Sequence, residues 1–233
     1  MEFPIRINKY LRDHGLASRR ESDELVSAGK VFVNGKRAEQ GMMVNENDKV
    51  TMRGDNEKVY VYLAYYKPRG LATQDLSGSV SVITEWKDRG IFPIGRLDKE
   101  SEGLLILTND GRITSKILGE TRGSEHGRGR DRFEKEYIVK VHEKLRQGIP
   151  AILEKGMETQ IGKMLPAKAR IVDGHTLNVI LYEGKRHQIR VMMGELGYTV
   201  SLLKRVRIGL IKLGKLNPNQ TRELSEREVS LFF

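Results

Sequence analysis

The sequence predicts an α+β protein, in which a small N-terminal α-β domain precedes a larger domain built on a mixed, mainly antiparallel sheet with flanking helices. Three observations carry that expectation. The first fifty or so residues hold two helical patterns and then a turn dipeptide between short strand candidates. Everything after Val59 is richer in β-branched and aromatic runs. A polar, glycine-containing stretch, RGDNEK from Arg53 to Lys58, separates the two regimes. The boundaries that follow are a domain at 1–53, a linker at 54–58 and a second domain at 59–233.

The elements follow in order. INKYLRDHGL puts Ile7, Leu11 and Leu16 on an approximately helical spacing that ends near Gly15. SRRESDELVSAGKV opens with Ser18 as cap and Glu21 three positions later, a capping box, and stops at Gly29. VFVNGKRA carries Asn34-Gly35 between strand candidates, the signal of a type I′ hairpin. In the second domain VYVYLAYYKP is a strand ended by Pro68, and GLLILTND is a short buried strand. EKEYIVKVHE alternates Tyr137, Val139 and Val141 against charges as a half-exposed strand does, and HTLNVILYEG repeats the pattern. Helices are expected at Val80–Trp86, Arg112–Leu118 and Arg186–Leu196, with a capped one at Ser225–Leu231. The Gly- and Arg-rich stretch Gly119–Arg132 reads as a mobile loop suited to closing on a polyanion.

Composition narrows the function classes. The net charge of +10 favours a polyanionic partner, most simply nucleic acid. Residues Met1 to Asp55 hold 10 basic and 9 acidic residues, so the remainder carries +9 of that charge. Between Lys185 and Lys215 there are eight basic residues and one acid, Glu195, a stripe that reads as tracking phosphates in preference to a solvated helix face. With no cysteine, disulfides, thiol catalysis and thiolate metal sites are excluded. The five histidines are scattered and offer no metal-ligand cluster. No apolar run approaches the roughly 20 residues that span a bilayer, and MEFPIRINKY lacks the order of a secretory signal. A cytoplasmic protein without a membrane partner is the expectation.

One stretch is chemically odd. In FPIGRLDKESEGLLILTNDG, Arg96 and Asp98 stand at the mouth of the apolar run Leu104-Leu105-Ile106-Leu107. Charges at the edge of a core are costly to desolvate unless paired. Taken alone, an Arg-x-Asp is more often a surface ion pair worth little.

Two resemblances give these features a context. INKYL, ASRRESDELVSAGKVFVNGK and, more loosely, NENDKV resemble the S-four RNA-binding domain, which implies RNA contacts from Lys9, Arg19, Arg20, Lys36 and Arg37. LAYYKPRGLATQ, IGRLDKESEGLLILTNDG, EKEYIV and EGKRHQIRVMMGELGY resemble the pseudouridine synthases, in the branch that holds ribosomal small-subunit synthase A and large-subunit synthases B, E and F. The resemblance implies isomerisation of uridine to pseudouridine in ribosomal RNA, which needs neither a redox cofactor nor a metal. Asp98 matches the family's essential aspartate, the nucleophile. Tyr137 matches the tyrosine that stacks on the target base and is placed to assist proton removal from carbon 5. The cation that keeps Asp98 ionised is Arg190 or, as the open alternative, Arg186. Arg96 would contact RNA around the flipped nucleotide, and Leu104 and Ile189 would wall the pocket. Arg186, His187, Lys204, Arg205 and Arg207 would hold the RNA backbone without reading sequence. The target uridine has to be everted to reach the carboxylate.

His-Gln-Ile-Arg stands where many branch members have Arg-Gln-Ile-Arg, which leaves the chemistry alone and opens the question of substrate. Downstream, GYTVSLLKRVRIGLIKLGKL is most like large-subunit synthase F, which points to 23S rRNA, with 16S rRNA or tRNA as alternatives. A monomer is expected. The competing classes are a non-catalytic RNA-binding ribosome-assembly factor and an RNA N-glycosidase. The second would want a further carboxylate beside Asp98, and Glu100 and Glu102 have no defined role.

Overall fold

The computed structural model describes residues 3–53, 59–74, 80–118 and 133–233. The expected linker at 54–58 and the expected mobile loop Gly119–Arg132 lie outside the described residues. The chain forms two compact units, Met1–Tyr60 with Asp110–Thr114, and Val61–Asn109 with Ser115–Phe233.

In the first unit, β1 (Ile5–Arg6) runs into α1 (Ile7–Asp13), whose Ile7 and Leu11 are fully buried. Leu16, expected on the same stripe, is 42% exposed. The helix ends at Asp13 and Gly15 takes φ +67°, so the chain leaves the helical path before Leu16. The second helix, α2 (Arg19–Ser27), starts behind Ser18, whose Oγ accepts from the Glu21 N–H at 3.3 Å while Glu21 Oε2 accepts from the Ser18 N–H at 3.0 Å. Strands β2 (Val31–Val33) and β3 (Lys36–Arg37) are joined by Asn34 and Gly35 at φ +51° and +76°, the left-handed pair a type I′ turn requires. A short β4 (Met43–Val44) pairs with β1, and β5 (Val50–Met52) covers the other edge of β2. Ile7, Leu11, Val26, Val31, Val33 and Val44 form one small core.

The second unit holds a nine-stranded sheet. Its elements in chain order are β6 (Tyr62–Lys67), α3 (Val82–Trp86), β7 (Phe92–Ile94), β8 (Glu102–Thr108), α4 (Thr114–Leu118, of which Thr114 belongs to the first unit) and β9 (Lys135–Val141). They continue with α5 (Ile149–Lys155), β10 (Lys168–Asp173), β11 (Thr176–Leu181), α6 (Gln188–Glu195) and β12 (Val200–Ile208). Last come β13 (Ile211–Lys212), β14 (Thr221–Glu223) and α7 (Glu226–Val229). The order across the sheet is β10-β11-β9-β12-β8-β6-β14, with β13 on β12 and β7 on β8. Among the described pairs of named strands only β8–β12 is parallel, and it joins Glu102 to Lys204 and Gly103 to Arg205. Gly103 has φ +107°, and a Cβ there would collide with the Arg205 backbone, so the glycine of the Ser-x-Gly word is what lets the two strands meet.

Leu104 to Leu107 are fully buried on both faces of β8, which is why that run shows no alternation. On β9 the alternation does hold, with Tyr137, Val139 and Val141 turned into a core completed by Ile149 and Leu153 of α5 and Ile189, Met192 and Met193 of α6. The β11 strand departs from the half-exposed pattern. Every residue in it but Ile180 is buried, because it lies between β9 and β10 inside the sheet and Asn178 is satisfied by Glu136 at 2.7 Å. The α6 helix begins at Gln188 and not at Arg186, because His187 sits in the left-handed region at φ +54°. Ser225 caps α7 as its sequence suggests, but the helix lasts only to Val229 before a tighter turn. Besides several strands of two or three residues, α5, β10 and β12 carried no recognised signal. The last is the nine-residue strand that carries Lys204, Arg205 and Arg207, three of the eight basic residues of the stripe.

Candidate active site

Two stretches set the position of Asp98. After β6, the Lys67-Pro68-Arg69-Gly70 turn reaches the 97–101 loop through three bonds. Thr73 Oγ1 donates to Leu97 O at 2.7 Å and accepts from Leu97 N at 3.0 Å, and Gly70 N donates to Lys99 O at 2.8 Å. Leu97 is buried in the β9–α6 core, and Arg96 and Asp98 on either side of it line the same hollow. From the other direction Arg190 of α6 donates Nη2 to Glu100 O at 2.9 Å and Nη1 to Val200 O at 3.2 Å.

The hollow encloses about 460 Å³. Tyr137 on β9, 8% exposed, Ile189 of α6 and Leu203 of β12 contribute to its apolar lining, while Arg96, Asp98, Lys135, Lys185, Arg186 and Arg205 bring charge and His187 an imidazole. A second hollow of about 340 Å³ shares Arg96, Leu97, Asp98, Arg186 and His187, so the aspartate is reached from both. Leu104 does not line either, being sealed inside β8.

The side-chain partner of Asp98 differs from both expected ones. His187 Nδ1 lies 3.1 Å from Asp98 Oδ2, and among the described residues neither Arg190 nor Arg186 pairs with that carboxylate. Arg190 is committed to two backbone carbonyls and braces the loop, whereas Arg186 reaches the rim of both hollows. The segment presenting Arg186 and His187 is fixed by Gln188. Its Oε1 accepts from Lys185 N at 3.0 Å and its Nε2 donates to Glu183 Oε1 at 2.7 Å.

The three basic residues of β12 are also differently placed from the phosphate-facing arrangement expected of them. Arg205 is 4% exposed, donates Nε to Leu104 O at 2.7 Å and Nη1 to Arg96 O at 3.4 Å, and has a buried Nη2 without a hydrogen-bond partner. Arg207 is consumed by Glu136 at 2.5 Å and Glu134 at 3.0 Å. Lys204 lies 4.6 Å over the Tyr66 ring. Arg205 and Arg207 therefore serve the fold, because the strand that carries them turns one inward and the other onto carboxylates of β9 and the residue before it. Lys9, Arg19, Arg20, Lys36 and Arg37 are all exposed on the first unit, and only Arg37 shows a bond, a loose one to Ser27 O at 3.3 Å.

Lys67 is the polar residue whose part the sequence conceals. It is fully buried at the end of β6, with Nζ donating to Pro68 O at 2.9 Å and Leu71 O at 2.6 Å. Burial pulls its ammonium down to about 8, against the opposing pull of the Asp98 and Glu102 carboxylates. The signal was present as a lysine closing an apolar strand just before proline. Ser101 is likewise hidden, its Oγ buried without a partner beside Asp98, whose carbonyl accepts from Ser101 N at 3.0 Å. Chemically, the arrangement offers a carboxylate at the mouth of a half-apolar hollow, an aromatic ring for a planar base, and a buried guanidinium that raises the local positive potential.

Comparisons with known proteins place the chain in a family. A family model described as RNA pseudouridylate synthase matches residues 61–195, and an S4 domain model matches residues 5–50. A protein of Aquifex aeolicus (strain VF5) named as an uncharacterized RNA pseudouridine synthase is 35% identical over 98% of this chain and 94% of its own length. The ribosomal large subunit pseudouridine synthase B of Bacillus subtilis (strain 168) is 35% identical over 96% and 93%. The dual-specificity RNA pseudouridine synthase RluF of Escherichia coli (strain K12) is 33% identical over 97% and 77%. In fold, the chain is similar to a crystal structure of a pseudouridylate synthase, with a TM-score of 0.69 at 22% identity over 98% of this chain and 100% of that one.

Proposed function

Because the chain belongs to the RNA pseudouridylate synthase family and carries an S4 domain, we propose that it converts one or a few uridines of large-subunit ribosomal RNA to pseudouridine, with Asp98 as the reacting carboxylate. The observation that carries the assignment is the place of Asp98 at the mouth of the hollow that Tyr137 and Arg205 line. In the reaction the bond from N1 of uracil to the sugar C1′ breaks and a bond from C5 to C1′ forms. The proton lost from C5 is balanced by one gained at N1, so nothing is oxidised, reduced or released. Asp98 attacks the sugar or assists its transient loss of a proton, and Arg205 holds positive potential behind the carboxylate. Tyr137 stacks against the everted base, and Ile189 and Leu203 keep water from its face.

The large-subunit target is supported by what the Bacillus subtilis relative is named for. In the first unit, Arg19 and Arg20 sit in the first turn of α2, where the helix dipole disfavours cations unless they meet an anion. That placement suits an RNA phosphate. The enzyme works in this reading as a cytoplasmic monomer, and among the described residues no helix is long and apolar enough to cross a membrane.

Asp98→Asn tests the assignment. Pseudouridine mapping by carbodiimide-blocked primer extension, on rRNA from cells carrying only this variant, should show the loss of every site that wild type restores. RNA affinity should stay within about twofold, since one carboxylate far from the phosphates contributes little to binding. Pseudouridine formed by Asp98→Asn would remove Asp98 from the chemistry, and free uracil released by wild type would turn the reading to base excision.

A further inference from the structure

Resting on the reading above, in which Asp98 is the reacting group, we propose that His187 is a positioning residue: its Nδ1–H holds one carboxylate oxygen of Asp98 so that the other is presented to the sugar. The ring is the side-chain partner of Asp98 among the described residues, at 3.1 Å from Oδ2. A carboxylate only accepts, so the proton of this bond lies on Nδ1. Without a partner the carboxylate rotates over a broad, two-fold torsional well, and a nucleophile has to be held within a narrow range of geometries to be effective.

The backbone shows that the ring is placed there at a cost. His187 has φ +54° and ψ +20°. The other non-glycine residues in that region, among those described, are Asn34 and Asn219, and asparagine is the side chain that tolerates it best. A histidine kept there is sustained by its surroundings. Its carbonyl accepts from Val191 N at 2.9 Å to start α6, and Gln188 ties the preceding residues to Glu183. Strain maintained by such a frame at a reacting group is the pattern expected of a functional constraint. His187 and Asp98, with Arg96, Leu97 and Arg186, also border both hollows.

The conformation supplies a clean test. Glycine and asparagine both accept left-handed φ, but only asparagine places an amide N–H where Nδ1 stands. Single-turnover conversion of an in vitro transcript of large-subunit rRNA by the full chain gives a saturating rate and a half-saturating concentration for each variant. His187→Gly should lower the saturating rate about tenfold or more, as expected for losing a hydrogen bond to a charged group, and leave the half-saturating concentration within about twofold. His187→Asn should return the rate to within about threefold of wild type, since the bond is kept. A wild-type saturating rate in His187→Gly overturns the proposal. So does a defect that more RNA cures, or a failure of asparagine to rescue. If the glycine variant does not fold, His187→Gln replaces it, with its amide displaced by one bond and a rate as low as glycine's expected. A second readout needs no activity. Imidazole 15N NMR, assigned by the signal missing in His187→Asn, should show His187 protonated at Nδ1 in wild type and changed in Asp98→Ala. A bare Nδ1 in wild type overturns the proposal. A transcript left unmodified by wild type counts against the functional reading alone.

Discussion

Arginine and lysine do different work in the two units. In the first, Lys9, Arg19, Arg20, Lys36 and Arg37 lie exposed on α1, α2 and β3, with little holding them. In the second, Arg190 spans two backbone carbonyls, Arg205 is buried, and Arg207 is shared by two glutamates. The first unit has a net charge near +1 and the rest of the chain +9, yet these three arginines, all in the more basic part, are taken up by the protein itself. Charge counted along a sequence is thus a poor guide to charge presented to a partner. What decides is whether the element carrying the residue turns it outward, and whether acids of neighbouring strands reach it first.

The contrast breaks most visibly if Arg205 proves dispensable. Arg205→Met should lower unfolding free energy by about 3 kcal/mol, since it strips a buried carbonyl, Leu104 O, of its donor. A thermal midpoint unchanged from wild type would mean that Arg205 is not a structural cation.

Next in size is Arg207. Burial pushes the Glu134 and Glu136 carboxyls up, but the hydrogen bonds from Arg207, with help from Tyr182 and Asn178, outweigh it and leave both below the ordinary value of 4.5. A depressed carboxyl lends stability that is present above its unfolded value and lost as the pH falls through the folded one. Arg207→Met should therefore cost about 1–2 kcal/mol near neutral pH, and the gap to wild type should close as the pH drops below 4.5. Urea midpoints between neutral and acid pH check this. RNA affinity should not change, and a loss of binding would show that Arg207 also serves phosphate.

The smallest effect on the fold is expected from Arg19→Ala with Arg20→Ala, within about 0.5 kcal/mol because both side chains are exposed. This pair should instead weaken RNA binding and reduce the slope of log affinity against log salt by about two, one for each phosphate no longer neutralised. A slope equal to wild type would move RNA recognition away from α2.

The same contrast marks where sequence reading reached and where it stopped. Local rules found the Ser18–Glu21 capping box and the Asn34-Gly35 turn because each is complete within four residues. Asp98 and Tyr137 were legible as family words, and the structure brings them to one hollow. The partners of the cations were not legible. The Arg190–Glu100 bond spans 90 residues, Arg205–Leu104 spans 101, and Arg207–Glu136 spans 71, so nothing near any of these arginines reveals its destination. The β12 strand escaped notice for a related reason. Its register shifts between Val200 and Leu202 and again between Arg205 and Arg207, which breaks the period of two by which strands are recognised. The helix expected from Arg186 begins two residues later, and the left-handed residue His187 that delays it has no mark in the sequence.

Gly103 has a consequence for anyone who would re-engineer this scaffold. The strand following the Asp98 loop and the strand bearing Arg205 touch in parallel at two residues only, and one of them has no side chain. That junction has no slack, and an added methyl group would wedge it open and shift the guanidinium that lines the hollow. New substrate preferences therefore have to be grafted onto the rim, around 183–187, with the seam beneath left as inherited.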